Sequence, residues 1–194
     1  MIILKPFVIG IAGGSASGKT TFVEQFINLF SKRKILTFHM DAYFKKEKDR
    51  PIQVSMMNQK CYRDDNHPHS FHLHQLYQDI CQAMNETYEI IIIEGLLTLY
   101  DEKICSLLDL KIFIDCRADE RIVRRLKRNM NKGLSFDEIS NVYLDLVRFR
   151  HDEFVENTKW KADLIVNGSK DFHTILSILK EYLSQKITNN EKEL

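Results

Sequence analysis

Gly13-Gly14-Ser15-Ala16-Ser17-Gly18-Lys19-Thr20-Thr21 carries the densest chemistry in this chain. Gly13 to Thr20 fits the spacing G-x-x-x-x-G-K-[ST]. Its glycines let backbone N–H groups wrap a phosphate, and a helix beginning there offers its positive end to the same anion. Lys19 adds a point charge suited to β- and γ-phosphates, and the Thr20 hydroxyl is a hard oxygen ligand of the kind Mg²⁺ takes. A chance Gly/Ser-rich turn would not also stand between a strand pattern and a helix pattern, as this segment does.

Two carboxylates stand at similar positions further on. Glu94 ends the run Tyr88-Glu89-Ile90-Ile91-Ile92-Ile93-Glu94-Gly95. An acid beside four isoleucines is costly to bury without a cation, so a metal partner is one reading and a strand-end acid facing solvent or capping a helix is another. Asp41, in Phe38-His39-Met40-Asp41-Ala42-Tyr43-Phe44, follows a second apolar run. It could take the proton of an attacking hydroxyl, or simply cap a turn. Arg121, Arg124, Arg125, Arg128 and Lys132, with Lys127 beside them, fall on one helical stripe. They could close over phosphates or form a solvated basic face. His67-Pro68-His69-Ser70-Phe71-His72-Leu73-His74 holds four histidines in eight residues. No nearby cysteine completes a zinc set, so a surface or substrate-site role is favoured.

These residues need a scaffold, and the hydrophobic pattern supplies one. Strands are expected at Phe7–Ala12, Lys34–His39, Glu89–Glu94, Leu110–Asp115 and Asp163–Asn167. Several are apolar on both faces, as a covered parallel sheet requires. Helices are expected at Thr20–Ser31, His72–Met84, Leu97–Leu107, Asp119–Asn131, Ser135–Thr158 and Asp171–Lys186, with Lys45–Ser70 a loop containing short helix. The alternation implies an α/β fold, a doubly wound five-stranded parallel sheet with helices on both faces, and ligands at the carboxyl ends of its strands. The 194 residues suit one domain, 1–188, with a lid region about 119–158 and a tail 189–194.

Composition narrows the function. Lys+Arg is 28 against Asp+Glu 27, which argues against a nucleic-acid binder. Cys61, Cys81, Cys105 and Cys116 form no C-x-x-C pair, which fits reduced thiols in the cytoplasm. No run is long enough to span a membrane, and no secretion signal is visible.

The chain resembles the uridine kinase / phosphoribulokinase group of P-loop kinases. The residues concerned are Ile9 through Thr21, Asp41-Ala42-Tyr43-Phe44, Asn66-His67-Pro68 with Phe71, Ile93-Glu94-Gly95-Leu96-Leu97, Asp109 through Asp115, Ala118 through Arg121, Arg124 through Arg128, Thr158-Lys159 and Ala162 through Val166. The likeness is collinear, covers nearly the whole chain, and from Ile93 to Val166 is closest to uridine kinases.

The resemblance implies a P-loop NTPase fold with a helical lid and transfer of the ATP γ-phosphoryl group to a small acceptor's hydroxyl. Asp41 would be the base, Thr20 and Glu94 the Mg²⁺ residues, and Arg125 and Arg128 lid arginines. It also suggests a homo-oligomer. Uridine kinases carry a nucleoside-reading β-hairpin between the His-Pro helix and the Glu-Gly strand, and here Gln82-Ala83-Met84-Asn85-Glu86-Thr87-Tyr88 runs straight into Ile90. The group's ribose-binding Asp is Asn66, and Asp65 stands where an aromatic is usual. The group's next-helix glutamine is Val142, its arginine after Lys132-Gly133 is Leu134, and its Tyr after Asp-Ser-Phe is Phe44. The phosphate half is thus kept and the nucleoside half altered. Acceptor candidates are Tyr43, Asp65, Asn66, His67, His69 and Arg125. The alternatives are a kinase for a non-nucleoside sugar or phosphosugar, a non-catalytic nucleotide-binding regulator, and an ATPase coupled to a macromolecule.

Overall fold

The structure is a computed structural model that describes residues 5–55 and 59–192, with side chains as far as Lys186. Five strands form one parallel sheet: β1 (Phe7–Ala12), β2 (Ile35–His39), β5 (Ile90–Glu94), β6 (Leu110–Asp115) and β7 (Leu164–Asn167), in the order β2-β5-β1-β6-β7. Every pairing within this sheet is parallel. The helices are α1 (Lys19–Leu29), α2 (Leu73–Ala83), α3 (Glu102–Ser106), α4 (Ala118–Met130), α5 (Phe136–Val142), α6 (Arg148–Phe154) and α7 (His173–Lys192). None of the described helices is long and apolar enough to cross a membrane.

β5 explains the layering. Its residues are all buried, and successive side chains point to opposite faces. Ile90 and Ile92 join Ile9, Phe22, Phe26 and Leu179 under α1 and α7. Ile91 and Ile93 join Val8, Leu76, Ile80 and Phe113 on the α2 side. Two apolar faces on one strand require cover on both sides, which is what the continuous isoleucine run encodes.

Several expected boundaries change. The expected helix Leu97–Leu107 is helical only over Glu102–Ser106, because Asp101 accepts the Ile104 N–H at 3.0 Å and starts the helix anew. Ser135–Thr158 is not one α-helix: Ser135 and Glu138 form a capping box for α5, a π-helical stretch spans Tyr143–Val147, and a 3₁₀ stretch Glu156–Lys161 follows α6. The segment Lys45–Ser70 holds the expected short helical turns, Glu47–Asp49 and Pro68–Ser70, and also an antiparallel hairpin of β3 (Ile52–Val54) and β4 (Cys61–Arg63). Three-residue strands are too short for alternation to show, and both Ile52 and Val54 are exposed. Between α2 and β5 there is no strand, as the sequence suggests. α7 reaches into the segment expected as a tail, whose residues 193–194 lie outside the described part.

Ile92 sits fully buried in the central sheet. Ile92→Ala is expected to destabilise the fold by about 2–5 kcal/mol, read as a lowered midpoint in urea with an unchanged slope.

Candidate functional site: the phosphate loop and its two carboxylates

The site forms where β1, β5 and β2 end side by side. β1 runs into the loop at Gly13, β5 ends on Glu94, and β2 runs into a 3₁₀ turn carrying Asp41. Strand order therefore gathers residues that lie far apart in sequence.

The loop is built from unusual backbone. Gly13 and Gly18 have φ of 145° and 106°, and Ala16 has 64°. Such turns direct successive N–H groups inward, which makes an anion cradle at the start of α1. A Cβ on Gly13 would collide with the Ile114 carbonyl, so that glycine is required by contact as well as by angle. The Ser17 N–H donates to Gly14 O at 3.1 Å and closes the turn.

Lys19 is only 8% exposed and its Nζ donates to Gly14 O at 3.1 Å. Burial pushes its ammonium below the usual lysine range, while Glu94 and Asp41 pull the other way. An anion in this cavity would fix the charged form. Glu94 is also 8% exposed, and His39 Nδ1 lies 2.9 Å from its Oε2. The pair follows from register, since His39 stands opposite Glu94 on neighbouring strands.

A cavity of about 620 Å³ runs across this edge. Asp41, Asn66, Glu94 and Leu96 line it together with Ser15, Lys19 and Thr20. Arg124, Gly168, Lys170, Asp171 and Phe172 also line it. The β7–α7 loop that supplies the last four packs tightly on the phosphate loop: a Cβ on Gly168 would strike the Ser17 carbonyl, and Phe172 rests edge-on against Phe22 at 5.1 Å.

α4 closes the cavity from above. Arg125 Nη1 and Arg128 Nη2 donate to Ser15 Oγ at 2.9 and 3.3 Å, and Arg124 Nη1 donates to Gly168 O at 2.9 Å. Burial, and then Arg128, push the Arg125 pKa down, with Asp65 opposing. Arg121 is instead buried beneath the loop, its Nε donating to Cys116 O at 3.0 Å. The basic stripe is therefore split between the cavity and the core.

The acceptor candidates divide. Asn66 lines the cavity. Tyr43 does not: its hydroxyl donates to Asp79 on α2 at 2.7 Å, and burial and then that bond raise its pKa. Asp65 is occupied by Arg50 at 2.9 Å and Arg63 at 3.4 Å. His67 Nδ1 accepts the His69 N–H at 3.0 Å, and its ring packs on Phe154. Among the described residues, no three His, Cys, Asp or Glu side chains gather as a metal-holding group, so the histidine cluster carries no zinc set. Sequence reasoning missed His39, Lys170, Asp171, Phe172, Asp64 and Arg150. The rule that ligands gather just past strand ends would have found the first four.

The fold and this edge invite comparison with known proteins. The profile of the Phosphoribulokinase / Uridine kinase family matches residues 8–81 and 62–174. The chain belongs to that family. It is a kinase, a phosphotransferase with an alcohol group as acceptor. It is 34% identical over 199 residues to a uridine kinase of Bacillus cytotoxicus, covering 90% of this chain and 92% of that one. It is 35% identical over 186 residues to a uridine kinase of Geobacillus kaustophilus, covering 84% and 86%. The solved structure of a possible uridine kinase from Bacillus stearothermophilus shares the fold, with a TM-score of 0.59 at 15% identity over 86% of this chain and 91% of that one.

Behind the loop, His151 packs on Gly14 beside Arg121, and its Nε2 lies 3.1 Å from Glu156 Oε2. Burial and Arg121 hold its pKa below the ordinary 6.5, outweighing Glu156 and Asp152. Below that pH the unfolded chain takes up a proton that the folded chain resists, so stability falls as pH drops. Thermal unfolding between about pH 8 and 5.5 is expected to show a steeper loss for the native protein than for His151→Gln. Equal slopes would remove His151 from the titration.

Proposed function

We propose that this kinase transfers the γ-phosphoryl group of Mg²⁺·ATP to a hydroxyl of a small acceptor, a nucleoside or a related sugar-like molecule. The observation that carries the reading is that one cavity joins the anion cradle and Lys19 to two carboxylates, Asp41 and Glu94, and to Arg128.

In this reading the backbone of Gly13–Thr21 and Lys19 hold the β- and γ-phosphates. Phe172 and Arg124 border the nucleotide's other end. Thr20 Oγ1 and Glu94 suit Mg²⁺, since both are hard oxygen donors on the same cavity, and too few protein ligands converge to hold a metal without phosphate oxygens. His39 holds Glu94 Oε2 and leaves Oε1 for that role. When bound, Mg²⁺ would offset the charge of the phosphate groups there. Arg125 and Arg128, already seated on Ser15, stand ready to follow charge onto the transferring group.

Asn66 and Asp41 line the same cavity, and in this reading Asn66 marks the acceptor end. The acceptor hydroxyl gives its proton to the Asp41 carboxylate as its oxygen bonds to the γ-phosphorus. The bond from that phosphorus to the bridging oxygen breaks, and ADP leaves with the electron pair. Positioning and charge stabilisation supply most of the rate.

A second reading of the acceptor, a non-nucleoside sugar or phosphosugar, is favoured by two observations. No strand pair lies between α2 and β5. Asp65 is also held by arginines rather than free to read a ligand. ADP formation should be followed with uridine, cytidine, other nucleosides, pentoses and phosphopentoses. Turnover on at least one is expected, and ATP binding without turnover on any would favour a regulator instead.

Two variants test the roles. Lys19→Ala is expected to lower kcat/KM by roughly two to three orders of magnitude. Asp41→Asn is expected to lower kcat by about 10²- to 10⁴-fold while the Kd for ATP stays within about threefold. Full activity in Asp41→Asn would remove the base assignment.

A further inference from the structure

The wall of the acceptor end is not held by the central sheet. Its chief tie is an ion pair between a buried aspartate and a half-buried arginine. Asp64, between β4 and Asn66, is 0% exposed, and its Oδ2 accepts from Arg150 Nε of α6 at 2.6 Å. The other oxygen, Oδ1, accepts the Asn66 N–H at 3.2 Å. The Asp64 N–H donates to Pro51 O at 2.8 Å, and its carbonyl accepts from Ser70 Oγ. Every polar group of this aspartate thus fixes the segment that presents Asn66.

Arg150 does the complementary work. Its Nη2 donates to Gln53 Oε1 on β3 at 3.0 Å, its Nη1 pairs with Glu153, and its guanidinium lies 5.5 Å from the Phe154 ring, which His67 meets edge-on. One planar group therefore joins the hairpin, the Asn66 turn and α6. Tyr62 adds a second tie, donating to Asp145 of the π-helical stretch at 2.8 Å. That stretch links α6 to α5, which packs on α4, whose Arg125 and Arg128 sit on Ser15.

We infer that Arg150 is a positioning residue that latches the β3–β4 hairpin and Asn66 to the lid arm, so that closure of the lid on nucleotide sets the acceptor end. The inference rests on the proposed reading of the Asn66 end as the acceptor's. The chemistry suits a latch. A bidentate-capable Asp–Arg pair with satisfied hydrogen bonds has one good geometry, and slipping it would leave the buried Asp64 carboxylate without its cation. An ammonium cannot replace the fork, because it has no fixed plane with which to meet Asp64 and Gln53 together.

Hydrogen exchange on the whole chain tests this, with and without Mg²⁺ and the non-hydrolysable analogue AMP-PNP. Three proteins are compared: native, Arg150→Lys, and the double variant Asp64→Asn/Arg150→Gln, which leaves no buried charge unpaired. In both variants residues 51–55 and 59–67 should exchange roughly tenfold faster without nucleotide, as for one lost charge-assisted bond, while β1 and β5 stay as protected as before. In the native protein the analogue should slow exchange at 13–21 and across those two stretches together. In the variants it should slow 13–21 alone. Where an acceptor is turned over, its KM should rise in the variants while the Kd for AMP-PNP is unchanged.

Unaltered exchange at 51–55 and 59–67 in both variants, or protection of those stretches by the analogue as strong as in the native protein, would overturn the latch. Failure of the analogue to protect 13–21 in the native protein would instead overturn the nucleotide reading. The exchange rates without nucleotide would still decide the latch.

Discussion

One ammonium group, held out of water just past the end of β1, organises the edge that carries the phosphate loop. Lys19 can be buried there because its charge meets the Gly14 carbonyl and lies within the field of Glu94 and Asp41. Those carboxylates reach it because β2, β5 and β1 are neighbours, in that order from the sheet's edge. The isoleucine run of β5 is the price of that adjacency: a strand flanked by strands and covered by helices has no polar face. Remove the lysine's charge and two carboxylates on one cavity lose the cation nearest the loop, leaving Glu94 only the His39 ring.

The arginines of α4 answer the same electrostatics from the helix that faces the loop. α4 buries only Arg121 and spreads its other guanidiniums over Ser15 and Gly168. It is an element built to hold charge over the loop rather than apolar surface against a core. Its connection through the π-helical stretch to α6 carries that positioning to the hairpin and to Asn66. The phosphate loop and the Asn66 segment thus rest on different supports, the sheet edge and an arm tied through Tyr62 and Arg150.

That division explains what could be read from the sequence. The strands, Gly13–Thr21, Asp41 and Glu94 were legible because apolar runs and a glycine spacing are local signals. Arg125 and Arg128 were legible as a stripe, though the same periodicity could not tell that Arg121 turns inward to the core. Tyr43 and His67 look like ligand groups in sequence but are spent on Asp79, His69 and Phe154. Asp64 and Arg150 gave no signal at all, because a pair 86 residues apart is defined only by the fold. The hairpin was missed for a related reason: its three-residue strands are fixed by ties to Arg150 and Asp145, not by their own pattern.

The most direct measurement is phosphorus NMR of the native enzyme with Mg²⁺·ATP and a mixture of nucleosides and sugars. Transfer at this edge requires a new phosphomonoester resonance growing one-for-one with ADP, and growing about a hundredfold or more slowly with Lys19→Ala. Inorganic phosphate in place of the ester, at the same rate with or without acceptors, would contradict a site built to deliver the phosphoryl group to a hydroxyl.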